Sequence, residues 1–151
     1  MANIQLIKPD WSLITYFERN NFACKCNRHD EDNPALPLYA ELNYFYICRY
    51  FLDPLRKDCN APIIVNSGGR CIYHNADSDG TKLSRHLILK NTGVIKSSPC
   101  AVDIYCTRLS WQEFDKKIRA NTNINYCGYH IYINNKGYFM HIDFRGYKSR
   151  W

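Results

Sequence analysis

The chain has 151 residues, 46% hydrophobic and 23% charged, enough for one buried core and too apolar for a disordered chain. No run of about 18 apolar residues occurs, so no transmembrane helix is expected, and "MANIQLIKPDW" carries no basic region followed by an apolar stretch that would mark a secretory leader. The formal charge of +6 favours an anionic partner such as nucleic acid, a membrane surface or a cell wall, although the basic residues are scattered and the same charge keeps a small protein soluble.

In chain order, residues 11–20 read as a short amphipathic helix. The "CKC" of Cys24 and Cys26, with His29 near, would supply half of a structural zinc site, but a complete site needs further ligands at familiar spacing and no CxxC occurs. "DEDNPALP" is a polar loop broken by proline. Leu38, Leu42, Phe45, Cys48, Leu52 and Leu55 then recur at steps of three and four, which predicts a core helix over roughly 37–57 that Pro54 ends or kinks late. "APIIVNSGG" and "CAVDIYC" read as short buried strands. Ser110 with Glu113 three residues on is a capping-box signature, opening a helix over about 111–119. "YCGYHIYIN" and "YFMHIDFR", joined by "NKG", read as a hairpin. Helices lead and strands follow, so the expected fold class is α+β: a single domain over 1–151, with helices packed on a small antiparallel sheet. Eight cysteines without a leader are expected as reduced thiols rather than disulfides.

Asp103 interrupts the apolar strand "CAVDIYC", where an unpaired carboxylate is costly. A metal would explain it. His86 in "SRH" and His141 in "MHID" complete a set of two imidazoles and one carboxylate, the kind that holds a catalytic zinc with one position open. Such a centre lowers the pKa of a bound water from about 15.7 to about 7. Taken singly, each histidine is more often a surface or satisfied core residue.

In order, "VNSGGRCIYHNADSDGTKLSRHL", "AVDI" and "FMHIDFRG" resemble the zinc D-Ala-D-Ala carboxypeptidase-like peptidases, especially their small phage and bacterial branch. The matching positions are Ser67, Gly68 and Arg70, Asn75 and Gly80, Ser84 and His86, Ala101, Asp103 and Ile104, then His141 and Asp143. The resemblance covers roughly 12–146 and reaches "FACKC" and the long helix. It implies a hedgehog/DD-peptidase-like fold and a zinc peptidase cutting stem or cross-link peptides of peptidoglycan. His86, Asp103 and His141 would hold the zinc, Arg70 would stabilise the oxyanion, and Ser84 and Ser67 would support the site or the substrate. A phage lytic enzyme is implied, a monomer made in a cytoplasm and acting on the wall of an infected host or from a virion.

Two departures stand out. The aspartate normally follows the first histidine by about seven positions; here "LILKNTGVIKSSPC" widens the gap to seventeen, an apparent loop insertion beside the site. The carboxylate that some relatives carry three residues before the last histidine is Tyr138 here. Asp143 is the favoured general base, with His130 on the paired strand as the other candidate. The alternative reading is a non-catalytic module that binds cell wall or protein on the same zinc scaffold. Nucleic acid is not the expected partner, since no aromatic RNA-binding motif, CxxC finger or basic helix occurs.

Overall fold

The computed structural model describes residues 7–32, 34–88 and 99–150. Its longest helical run is the predicted core helix, built in three pieces: α1 (Leu38–Ile47), a π turn (Cys48–Leu52) and α2 (Asp53–Cys59). Pro54 neither ends nor breaks the run. It sits in the first turn of α2, directly behind the π turn, where the wider winding relieves the clash a proline makes with the preceding turn. Asn60, in the left-handed conformation at φ 46°, ends α2.

The amphipathic helix expected over 11–20 is not formed; two 3-10 turns, Trp11–Leu13 and Arg19–Asn21, stand there instead. A helix that short is marginal by itself, and side-chain anchors hold the segment. Phe22 stacks on Tyr44 of α1 at 5.2 Å between ring centroids. Trp11 donates to the buried Glu41, and the Asp53 carboxylate accepts from the Thr15 and Tyr16 amides.

The strands are β1 (Ile63–Ser67), β2 (Ala101–Cys106), β3 (Gly128–Asn134), β4 (Gly137–Asp143) and β5 (Ser149–Arg150), in the order β1-β2-β4-β3-β5. All pairs are antiparallel except β3 with the two-residue β5, so the α+β class holds while the sheet is mixed rather than purely antiparallel. β3 and β4 form the expected hairpin. Between β1 and β2, α3 (Ile72–Asp77) was not anticipated, being too short to show a period. Between β2 and β3, α4 (Trp111–Ala120) starts on the expected capping box: Ser110 N–H donates to Glu113 Oε2 and Glu113 N–H to Ser110 Oγ.

The sheet has two chemically different faces, as the two-residue period of a strand requires. Val102, Ile104, Tyr129, Met140 and Ile142 point into the core shared with α1, the π turn, α2 and α4. Burying each such side chain contributes about 1.5–3 kcal/mol, so this face dictates the register. The opposite face then carries Asp103, His130, His141 and Asp143. Among the described residues, no helix is long and apolar enough to cross a membrane.

Candidate metal centre

Asp103 of β2 and His141 of β4 are directly opposite each other in the ladder, and both face away from the core. His86 arrives from a loop. Its carbonyl accepts from Arg70 N–H at 2.7 Å, and Arg70's carbonyl accepts from Ile88 N–H at 2.7 Å, a short parallel bridge that docks residues 86–88 beside the end of β1. The three side chains converge: His141 Nδ1 lies 2.8 Å from Asp103 Oδ1, and His86 Nε2 lies 3.2 Å from both.

The outer ring nitrogens decide what these inner atoms can be. His86 Nδ1 is 2.7 Å from the Gly68 carbonyl, which only accepts, so Nδ1 carries the proton and Nε2 presents a lone pair. His141 Nε2 is 3.3 Å from Asp143 Oδ2, which gives that nitrogen a partner for its proton whenever Nδ1 faces a cation. Two imidazole nitrogens and a carboxylate oxygen therefore face one another, an arrangement that a cation or a proton between them holds together. The pKa directions agree. Burial alone would raise the Asp103 carboxyl, but its close pairing with His141 and His86 outweighs it and holds the carboxyl well below the usual range. Burial opposes charge on His141, yet its bonds to Asp103 and Asp143 lift its pKa above the ordinary value. This donor set fits a divalent zinc ion.

Arg70 stands beside the cluster. Its Nη2 donates to Asp103 Oδ2 at 2.9 Å and its Nε to Ser67 Oγ at 2.8 Å. Ser67 reaches that position through a β-bulge. After Val65 pairs with Ile104, the register shifts so that Ser67, rather than Asn66, lies opposite Asp103. Without the extra residue Ser67 would point into the core. Arg70, Asp103, Ser67, Lys25, His74 and Phe139 line an open cleft of about 280 Å³.

Asp143 is fully buried and lies behind the His141 ring, away from Asp103 and His86. Arg145 grips both its oxygens through Nε and Nη2, and these bonds outweigh burial in depressing its pKa. Gly128 lies opposite it in the ladder, and a side chain there would come within 2.5 Å of Asp143 Oδ2. The expected role of Asp143 as general base does not match this placement, because neither oxygen is directed at the inner donor atoms. Ser84 does not touch the cluster either: its Oγ accepts from His86 N–H at 3.3 Å and shapes the turn. Tyr138 faces the other side of the sheet, its hydroxyl held between the Cys106 and Leu109 carbonyls. His130 pairs with His141 across β3 and β4 on the site face, its ring packed edge-on against Tyr132 at 4.4 Å. Most of the inserted segment, residues 89–98, lies outside the described residues.

One contributor escaped the sequence reading. The Gly68 carbonyl is a backbone group with no signature beyond its glycine, which is required because a Cβ there would fall 2.6 Å from Phe22 Cα. The Arg145 clamp was legible in the sequence, Arg145 lying two residues after Asp143, just past the end of β4.

The family model of peptidase M15 matches residues 15–143, from the first turns through all three converging residues to Asp143. No curated protein and no solved structure matches the chain. The resemblance read from the ordered motifs is thus borne out, and the chain belongs to peptidase family M15, whose members are zinc-dependent metallopeptidases.

Proposed function

We propose that the protein is a zinc metallopeptidase that hydrolyses peptide bonds in peptidoglycan stems or cross-links, of the DD-carboxypeptidase/endopeptidase or L-Ala-D-Glu type, and that it works as a lytic enzyme of a phage. The observation that carries the reading is the set of three inward donor atoms, His86 Nε2, Asp103 Oδ1 and His141 Nδ1, within 2.8–3.2 Å of one another, with their outer nitrogens tied down. These residues would hold the zinc. When bound, zinc supplies a Lewis acid and makes water a competent nucleophile near neutral pH.

The chain's own groups do the rest. Arg70, already aligned by Ser67 and Asp103, presents a planar guanidinium to the scissile carbonyl and stabilises the oxyanion as it develops. Asp143 keeps His141 in the tautomer that leaves Nδ1 bare, and Arg145 keeps Asp143 ionised. Proton handling falls to His130, which shares the site face with His141, rather than to Asp143. Arg70 and Lys25 along the cleft suit a substrate bearing carboxylates, as murein peptides do, and the net charge of +6 suits an anionic wall.

The test is digestion of purified peptidoglycan from several murein types by zinc-loaded protein. Mass spectrometry of the released peptides should find new amine and carboxyl ends, which name the bond. No new termini from any type would remove the enzyme reading. Tight sedimentation with murein under the same conditions, without cleavage, would replace it with a wall-binding module.

A further inference from the structure

A second cluster lies outside the cleft. Cys24 and Cys26 of the N-terminal segment and His29 just beyond them meet Cys71, which caps α3. One donor atom from each falls within 4.8 Å of all the others. Cys24 Sγ is 3.7 Å from Cys26 Sγ, Cys26 Sγ is 3.5 Å from Cys71 Sγ, and His29 Nε2 is 3.1 Å from Cys26 Sγ. These are not disulfide distances, since bonded sulfurs stand about 2.05 Å apart. They approach the edges of a zinc tetrahedron: bond lengths of about 2.3 Å to sulfur and about 2.0 Å to nitrogen imply edges of about 3.8 and 3.6 Å.

The surroundings suit thiolates. Cys71 N–H donates to Cys24 Sγ at 3.3 Å, and His74 N–H donates to Cys71 Sγ at 3.4 Å. His74 Nδ1 lies 3.2 Å from Cys24 Sγ, in position to donate as well. Cys24 and Cys71 are buried, with Cys26 and His29 half-buried above them. We infer that Cys24, Cys26, His29 and Cys71 form a second, structural zinc site of three thiolates and one imidazole. With four protein donors it is closed to substrate, unlike the three-donor centre.

Its place in the fold gives it a task. The N-terminal segment runs beside the loop that carries Gly68, Gly69 and Arg70. The Phe22 carbonyl accepts from Gly69 N–H at 2.8 Å, and Lys25 Nζ donates to the Val65 and Asn66 carbonyls at 2.9 Å each. Cys71 follows Arg70 directly. A metal joining Cys71 to Cys24, Cys26 and His29 would staple this loop to the segment, and so hold both the Gly68 carbonyl behind His86 and the guanidinium of Arg70. The inference stands whether or not the protein cleaves murein.

The experiment is a zinc count on the purified full chain, combined with X-ray absorption at the zinc edge. Two zinc ions per chain are expected, with sulfur in the first shell of one. Asp103→Ala should lose the zinc with nitrogen and oxygen neighbours and keep the sulfur-bound one. Cys71→Ser should do the reverse. A wild-type spectrum with no sulfur neighbour overturns the inference, as does a disulfide joining two of Cys24, Cys26 and Cys71 in a peptide map. Should Cys71→Ser fail to fold, the wild-type spectrum decides alone. Absent murein cleavage with a sulfur shell present would sink only the proposed activity.

Discussion

The two clusters of potential metal ligands differ in donors and in what carries them. His86, Asp103 and His141 offer two nitrogens and an oxygen; two of the three sit on adjacent strands whose register the buried face dictates. Cys24, Cys26, His29 and Cys71 offer three sulfurs and a nitrogen, all from loops or a helix cap. The first is positioned by the fold before any metal arrives. The second joins the N-terminal segment to the loop after β1, and a metal there would tie those two segments to each other. Strand-borne ligands with an incomplete donor set suit chemistry, and loop-borne ligands with a complete set suit stapling.

That contrast can be broken most severely at the ligands. Asp103→Ala should bring murein cleavage down to background and remove one zinc while leaving the fold intact, as elemental analysis and circular dichroism would show. Comparable loss of folding in this variant would mean the sheet-borne centre is structural too. Next in size is proton transfer: His130→Ala should lower turnover by about 100- to 10,000-fold with zinc retained. Full activity in that variant would send the search for the base elsewhere.

Arg70→Ala should cost about 100- to 1,000-fold in turnover, the usual loss for one oxyanion donor, again with zinc retained. Arg70→Lys should rescue it poorly, because an ammonium cannot bridge Ser67 and Asp103 as the guanidinium does. Asp143→Asn should act through the metal, weakening zinc affinity by about 10- to 100-fold, with activity recovering at high zinc. Lost turnover with affinity unchanged would restore Asp143 as the base.

The smallest effect is on pH. In the metal-free protein His141 holds its proton more tightly than an ordinary histidine, because its bonds to Asp103 and Asp143 outweigh the opposing effect of burial. That proton and zinc compete for Nδ1. Affinity at this centre should therefore be full above the raised pKa and fall by about tenfold per unit below it. Competition with a chromogenic chelator across pH 5–8, on wild-type and Asp103→Ala protein so that their difference reads this centre, would measure it.

Much of the centre was legible before folding was considered. An aspartate inside "CAVDIYC" is too costly to be incidental, and the order of "SGGR", "SRH", "AVDI" and "MHID" is specific as a series. The hairpin, the capping box and the core helix could be read because each depends on residues within a turn or two of one another. What stayed hidden depends on a change of register or on distant closure. Asp143 shares a face with His141, as the two-residue period says, but which ring nitrogen it meets depends on how the ring is turned between β2 and Arg145. Ser67 belongs to the core face by alternation and to the site face only through the bulge.

The sequence by itself determined the core helix, the capping-box helix, the hairpin and the family, because periodicity, caps and ordered motifs are local properties of the chain. Only the tertiary structure decided that Asp143 stands behind His141, that Arg70 reaches Asp103, and that Cys71 closes on Cys24, Cys26 and His29. Those outcomes follow from packing: burying Phe22 against Tyr44 brings the N-terminal segment beside the loop after β1, and no local pattern encodes that meeting.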